Sequence, residues 1–195
     1  IAAMMIVGCK QVQGNSSSSS SGKSSDTPPA SADKTYTVGG VNFTMKGIAA
    51  VTNKTIGHTG QANNQPHTVS LTAYLIGETE VTQELWTAVM GTNPSNFTDS
   101  PQNPVEKVNW YHAIAFCNKL SLKLGLEPCY TVKVGGTAID FETFNVSDIP
   151  TDGNQDWMGV EMDMSKNGFR LPTEAEWEWA AKGGKNDKWA GTDSE

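Results

Sequence analysis

Gly168-Phe169-Arg170-Leu171-Pro172-Thr173-Glu174-Ala175-Glu176-Trp177-Glu178-Trp179-Ala180-Ala181-Lys182-Gly183-Gly184 is the stretch on which the reading of the fold turns. Pro172 closes an extended segment because it lacks the N–H that a ladder or helix interior needs. Thr173 followed three residues later by Glu176 is a capping box, so a helix starts there. Glu174 and Glu176 then fall in the first turn, where carboxylates favour the positive end of the helix dipole. Glu178 and Lys182 are spaced to pair at i,i+4, and Gly183-Gly184 supplies the stop. Trp177, Trp179 and Ala180 offer bulk for packing. Nothing in this local reading is catalytic: it is a folding signature, with surface recognition as the alternative role for its Trp and Glu residues.

Two further helices follow from the same logic upstream. Thr82 is a plausible N-cap for a helix carrying Leu85, Trp86, Val89 and Met90 on one apolar stripe, and Gly91 stops it. Asn109 opens a second, with Ala113, Cys117, Leu120 and Leu124 on one face and Gly125 at its end. Residues 41–45 and 69–75 alternate apolar and polar, as half-buried strands do. The Gly-, Asn- and Pro-bearing stretch between them reads as a loop, and residues 129–170 as an irregular hairpin and loop. Short helices with short strands give an α+β fold class with small antiparallel sheets and much irregular structure.

Three blocks carry a family resemblance: residues 74–91 (YLIGETEVTQELWTAVMG), residues 102–121 (QNPVEKVNWYHAIAFCNKLS) and the opening stretch. Together they resemble the formylglycine-generating enzyme family, also called the sulfatase-modifying factor family, whose fold is related to that of C-type lectins. The resemblance covers roughly residues 36–195. Its fingerprint falls on Arg170, Leu171, Pro172, Thr173, Glu174, Glu176 and Trp177, all expected to be structural. The resemblance implies, for the family's enzymes, oxidation of a sulfatase cysteine to formylglycine with oxygen, copper and a cysteine pair. That pair lies well beyond the fingerprint, so no catalytic residue is assigned in this sequence. Copper or calcium is expected only with a further C-terminal part.

The first residues read differently. Ile6-Val7-Gly8-Cys9 ends a short apolar run and resembles the lipobox of a bacterial lipoprotein, which makes Cys9 the expected lipidation site. The alternative is a buried strand ending in a core cysteine. The serines at 16–21, with Pro28 and Pro29, cannot bury enough apolar surface to offset their ordering entropy, so they read as a tether. The expected organisation is therefore a signal-peptide end at 1–9, a Ser-rich linker at 10–35 and the N-terminal portion of the domain at 36–195, clipped at both ends. It places the protein lipid-anchored in the bacterial cell envelope, facing the outer surface or the periplasm.

Composition narrows the partners. The 195 residues carry a net charge of −7 with only 14 Lys and Arg, which argues against a nucleic-acid partner. No run approaches the roughly 20 apolar residues of a membrane-spanning helix. His58, His67 and His112 lack metal-ligand spacing, and no zinc site is expected. Asp148, Asp152, Asp156, Glu161 and Asp163 are loosely clustered without the spacing of a calcium loop, and read as a solvated insertion. Cys117 reads as a buried thiol; a disulfide between Cys117 and Cys129 is the open alternative. Two functions follow as expectations. One is a non-catalytic module that binds a surface ligand or protein, anchored to the membrane through Cys9. The other is a copper-dependent formylglycine-generating oxidase acting on sulfatase cysteines, in a fuller chain.

Overall fold

The protein is described by a computed structural model, in which residues 4–8, 32–60, 62–185 and 187 are placed. Strand β1 (Val7–Gly8) is followed by β2 (Lys34–Val38), β3 (Val41–Ile48), β4 (Val51–Ile56), β5 (His67–Leu71) and β6 (Tyr74–Gly77). Helices α1 (Gln83–Met90) and α2 (Trp110–Lys123) come next. The short strands β7 (Tyr130–Thr131), β8 (Lys133–Val134) and β9 (Thr137–Ala138), helix α3 (Gln155–Met158), strands β10 (Glu161–Met162) and β11 (Phe169–Arg170), and helix α4 (Glu174–Ala181) complete the order. The α+β class expected from sequence is the one found.

The frame is a five-stranded antiparallel sheet in the order β11-β1-β6-β3-β2. Its two faces are filled separately. On one, Ile6, Val38 and Met45 join Trp86, Val89, Phe116, Leu120 and Phe169 in the main core beneath α1 and α2. On the other, Val7, Tyr74 and Ile76 form a smaller cluster that Ala180 of α4 covers. Alternation along a strand explains the division, since Ile6 and Val7 necessarily point to opposite faces.

The three expected helix starts are present. Thr82 Oγ1 accepts from Leu85 N (3.2 Å), Asn109 Oδ1 from His112 N (3.0 Å) and Thr173 Oγ1 from Glu176 N (3.2 Å). Gly91 ends α1 in the left-handed conformation, as a C-cap glycine should.

Several expectations change. The run at 69–75 is not one strand: among the described residues β5 pairs with β4 alone, whereas β6 enters the large sheet. Strand β4 was concealed by its sequence, Val-Thr-Asn-Lys-Thr-Ile, whose four middle residues are exposed and give no apolar alternation. Strand β2 begins at Lys34, two residues before the expected domain boundary. Most consequentially, residues 4–8, expected to be the end of a signal peptide, lie inside the large sheet, the arrangement of the alternative reading. Met4, Ile6 and Val7 are all buried, Val7 completely. Cys9 and residues 10–31 of the expected linker fall outside the described residues.

Candidate binding cleft and its supporting frame

The two buried charged groups of the fingerprint, Arg170 and Glu176, are partners of each other inside the fold. Arg170, on β11, donates from Nη1 to Glu176 Oε2 (2.7 Å) and from Nη2 to Glu176 Oε1 (2.5 Å), a two-pronged pair buried on both sides. Nη1 also reaches the Leu171 carbonyl (2.9 Å). Glu176 closes the capping box by accepting from Thr173 N (2.8 Å). Burial alone would raise the Glu176 carboxyl; hydrogen bonds from Arg170 and Thr173 outweigh it and hold the group below its ordinary value.

Glu178 extends the clamp to a distant loop. Its Oε1 accepts from Gly57 N (2.7 Å), its Oε2 from Asn64 Nδ2 (2.9 Å), and Lys182 Nζ lies 2.7 Å from Oε1 while also donating to the Gly57 carbonyl (3.1 Å). Burial again pushes this carboxyl up, and the bonds from Lys182, Asn64 and Gly57 bring it down past its ordinary value. Gly57 has a φ of 81°, and a Cβ there would sit 2.4 Å from the Gln65 carbonyl oxygen, so only glycine makes this turn. The i,i+4 pair of Glu178 and Lys182 was legible in the sequence; its burial and its third partner were not. Trp177 departs from the expected packing role and is 48% exposed. Glu174, in the first turn of α4, is also exposed, and Leu171 and Pro172 carry the chain from β11 into the cap.

The thiols offer little to redox chemistry. Cys117 is fully buried and free, and burial pushes its thiol far up, so it stays protonated and inert. Cys129 is disulfide-bonded, so these two are not joined to each other. A copper–thiolate centre needs converging thiolates, and these two residues do not fit one. Among the described residues no three His, Cys, Asp or Glu side chains gather as a metal-binding set. The loose acidic cluster is occupied otherwise: Asp156 accepts from Gly135 N (3.2 Å), Glu161 pairs with Lys133 (2.8 Å) and Asp163 accepts from Ser165 N (2.8 Å). His58 and His67 sit on the β4–β5 hairpin, far in sequence from His112.

His112 lies instead on a cleft of about 610 Å³ between the end of α1, the first turn of α2 and residues 144–151. Trp86, Met90, Phe144, Val146 and Ile149 give it apolar walls. The outer wall is pinned by α2 at two places. Lys119 Nζ donates to the Phe141 and Phe144 carbonyls (2.8 and 2.7 Å), and Asn109 Nδ2 to those of Pro150 and Thr151 (2.8 and 3.2 Å). Those carbonyls fix the Asn109 amide, so its Oδ1 faces His112 Nδ1 at 2.5 Å and that nitrogen carries the proton. Burial lowers the His112 pKa, which keeps the ring neutral and leaves Nε2 an acceptor. Trp86 stacks on Phe116 (centroids 5.0 Å, planes 4° apart), and its Nε1 is buried without a hydrogen-bond partner among the described residues. The cleft thus combines apolar walls with a neutral imidazole at its edge, while the Trp86 Nε1–H stays enclosed in the core. Sequence reading placed Trp86 on the core stripe and His112 at a helix start; nothing in one dimension brings them together.

The chain at the foot of the neighbouring hairpin is tied down by Asn118 on α2. Its Nδ2 donates to the Tyr130 carbonyl (2.7 Å) and its Oδ1 accepts from Tyr130 N (3.1 Å), so one side chain pairs with both backbone groups of Tyr130 in β7. Strands β8 and β9 project beyond it as an exposed hairpin.

Comparison with known proteins places this geometry. The model of the sulfatase-modifying factor enzyme 1-like domain matches residues 21–194. Chaperone protein LppX of Paenibacillus barcinonensis is 42% identical over 130 residues, which are 67% of this chain and 43% of that protein. The solved structure of Treponema denticola variable protein 1 superposes with a TM-score of 0.80 at 64% identity, over 85% of this chain and 62% of that one. That of CarF superposes with a TM-score of 0.52 at 25% identity, over 74% of this chain and 61% of the other. The chain therefore spans less than half of the curated relative and about three fifths of each solved structure.

Proposed function

Because the chain belongs to the sulfatase-modifying factor enzyme 1-like domain family, we propose that it uses that frame as a non-catalytic ligand- or protein-binding module of the bacterial envelope. The observation that carries this reading is the cleft of Trp86 and His112. It offers apolar surface beside a neutral imidazole, while the free thiol Cys117 is sealed away from it in the core. Two relatives support it by name, one a chaperone and the other a variable protein. The resemblance of Ile6-Val7-Gly8-Cys9 to a lipobox supports attachment through a lipid on Cys9, which requires a Cys9 thiol that takes no part in the Cys129 disulfide. No helix among the described residues is long and apolar enough to cross a membrane.

Binding is tested with reduced, unfolded α-lactalbumin as the probe. The protein is expected to slow aggregation of the probe, and blocking the exposed cleft rim with Ser147→Arg or Thr92→Trp should abolish the effect without shifting Tm. Equal protection by the blocked variants sinks the cleft as the site. Conversion of a sulfatase-type cysteine peptide to an aldehyde by this chain with copper overturns the non-catalytic reading altogether. For the anchor, incorporation of an alkyne-bearing fatty acid in a bacterial host should be lost in Cys9→Ser.

A further inference from the structure

The segment at residues 4–8 is strand-paired on both sides at Val7. Val7 is opposite Ile76 of β6 and also opposite Arg170 of β11, and Gly8 is opposite Phe169. The pairing continues past the strand itself, with Gly77 N donating to the Ile6 carbonyl (3.0 Å) and Val81 N to that of Met4 (2.8 Å). Among the described residues the strand partner of β11 in this sheet is β1, so β1 carries the ladder that joins the fingerprint strand to the sheet. The side chains fill both layers at once, with Met4 and Ile6 in the core under α1, and Val7 in the cluster under α4. After β1 the chain reaches β2 at the opposite edge of the sheet, so β1 and the strand after it are not neighbours.

The same Ile6-Val7-Gly8-Cys9 that looks like a processing motif therefore supplies a central strand. Cleavage before Cys9 would remove residues 4–8 from between β6 and β11. That would leave two facing strand edges and two apolar layers each short of a side chain. We propose that the slot between β6 and β11 is a strand-acceptor site, held by residues 4–8 in the uncleaved chain and refilled after cleavage by an extended apolar peptide. Main-chain ladders on both sides give the affinity. Alternating pockets, shaped for Ile6 on one face and Val7 on the other, give the preference for branched apolar residues at successive positions. This inference is independent of the cleft.

The test cuts the folded protein rather than folding a shortened one. A protease site replaces residues 16–21 in the full chain carrying Cys9→Ser, so that neither lipid nor thiol chemistry at that position can hold the fragment. After cleavage, the N-terminal fragment is expected to co-elute with the remainder on gel filtration, and to exchange with a fluorescent peptide of residues 1–8. A Val7→Asp peptide should compete at least about a hundredfold less well, because it buries a carboxylate in a fully enclosed position. The uncut chain should not bind the peptide. Three results overturn the proposal: release of the fragment with no change in tryptophan fluorescence, co-elution with no exchange over days, or equal peptide binding by cut and uncut chains.

Discussion

The segment at residues 4–8, which carries β1, and the clamp at residues 169–182, which carries β11, meet side by side in the same sheet, yet they are held by opposite means. The first contributes only apolar side chains and backbone bonds, with Ile6 and Val7 enclosed and no charge among them. The second is built on buried charge, in which Arg170 depends on Glu176, and Lys182 and the Gly57 turn depend on Glu178. Apolar burial tolerates exchange of one well-shaped strand for another; a buried ion pair tolerates no loss of either partner. The neighbouring halves of one sheet thus combine a replaceable element with a fixed one.

The strongest way to break this contrast is Glu176→Ala. Removing the carboxylate leaves the Arg170 guanidinium buried and unpaired, and is expected to cost about 3–5 kcal/mol in a denaturant melt. Replacing both members together, with Arg170→Met and Glu176→Leu, should recover most of that loss, since two matched apolar groups need no partner. If the double variant is as unstable as the single one, the pair contributes more than mutual neutralisation.

Next in size is Ile6→Ala, expected to lower stability by about 2–4 kcal/mol through lost burial and a residual cavity. Its pH behaviour sharpens the comparison. Glu176 and Glu178 both have folded values below the ordinary carboxylate value of 4.5. Their contribution is therefore complete above that value and drains away as pH falls through the depressed folded values. The wild-type Tm should drop on that acid limb, and Glu178→Gln should flatten the drop. The loss caused by Ile6→Ala should be the same at neutral pH as at pH 4. An Ile6→Ala effect that grows with acid would mean that the two regions are not independent.

Thr173→Ala should have the smallest effect, about 1 kcal/mol, because it removes one cap bond while Glu176 keeps its bonds to Arg170. A loss above about 2 kcal/mol would show that the cap positions the ion pair as well as the helix.

What the sequence revealed follows the range of the interaction concerned. The caps at Thr82, Asn109 and Thr173 act within three residues and were legible in full. The pair of Glu178 and Lys182 was legible as a spacing, but its burial depends on Gly57 and Asn64, more than a hundred positions away. Strand β4 exposes most of its residues and so leaves no apolar trace. The run at residues 4–8 was the hardest to place. An apolar segment ending at Gly-Cys has the same composition whether a signal peptidase or a sheet receives it. The cleft was illegible for a related reason, since it joins Trp86, His112 and Phe144 from three separate segments.

The amide of Asn118 stands in for a peptide unit, fastening Tyr130 as a sister strand would. Everything the chain does beyond that hook, in the β8–β9 hairpin above all, starts from an origin that owes nothing to the hairpin's own residues. Beyond the Lys133–Glu161 pair and the bond from Gly135 N to Asp156 that steady the hairpin, its exposed residues are thus spared the task of setting where it begins. A lineage can rewrite them to meet a new neighbour and still inherit the same scaffold.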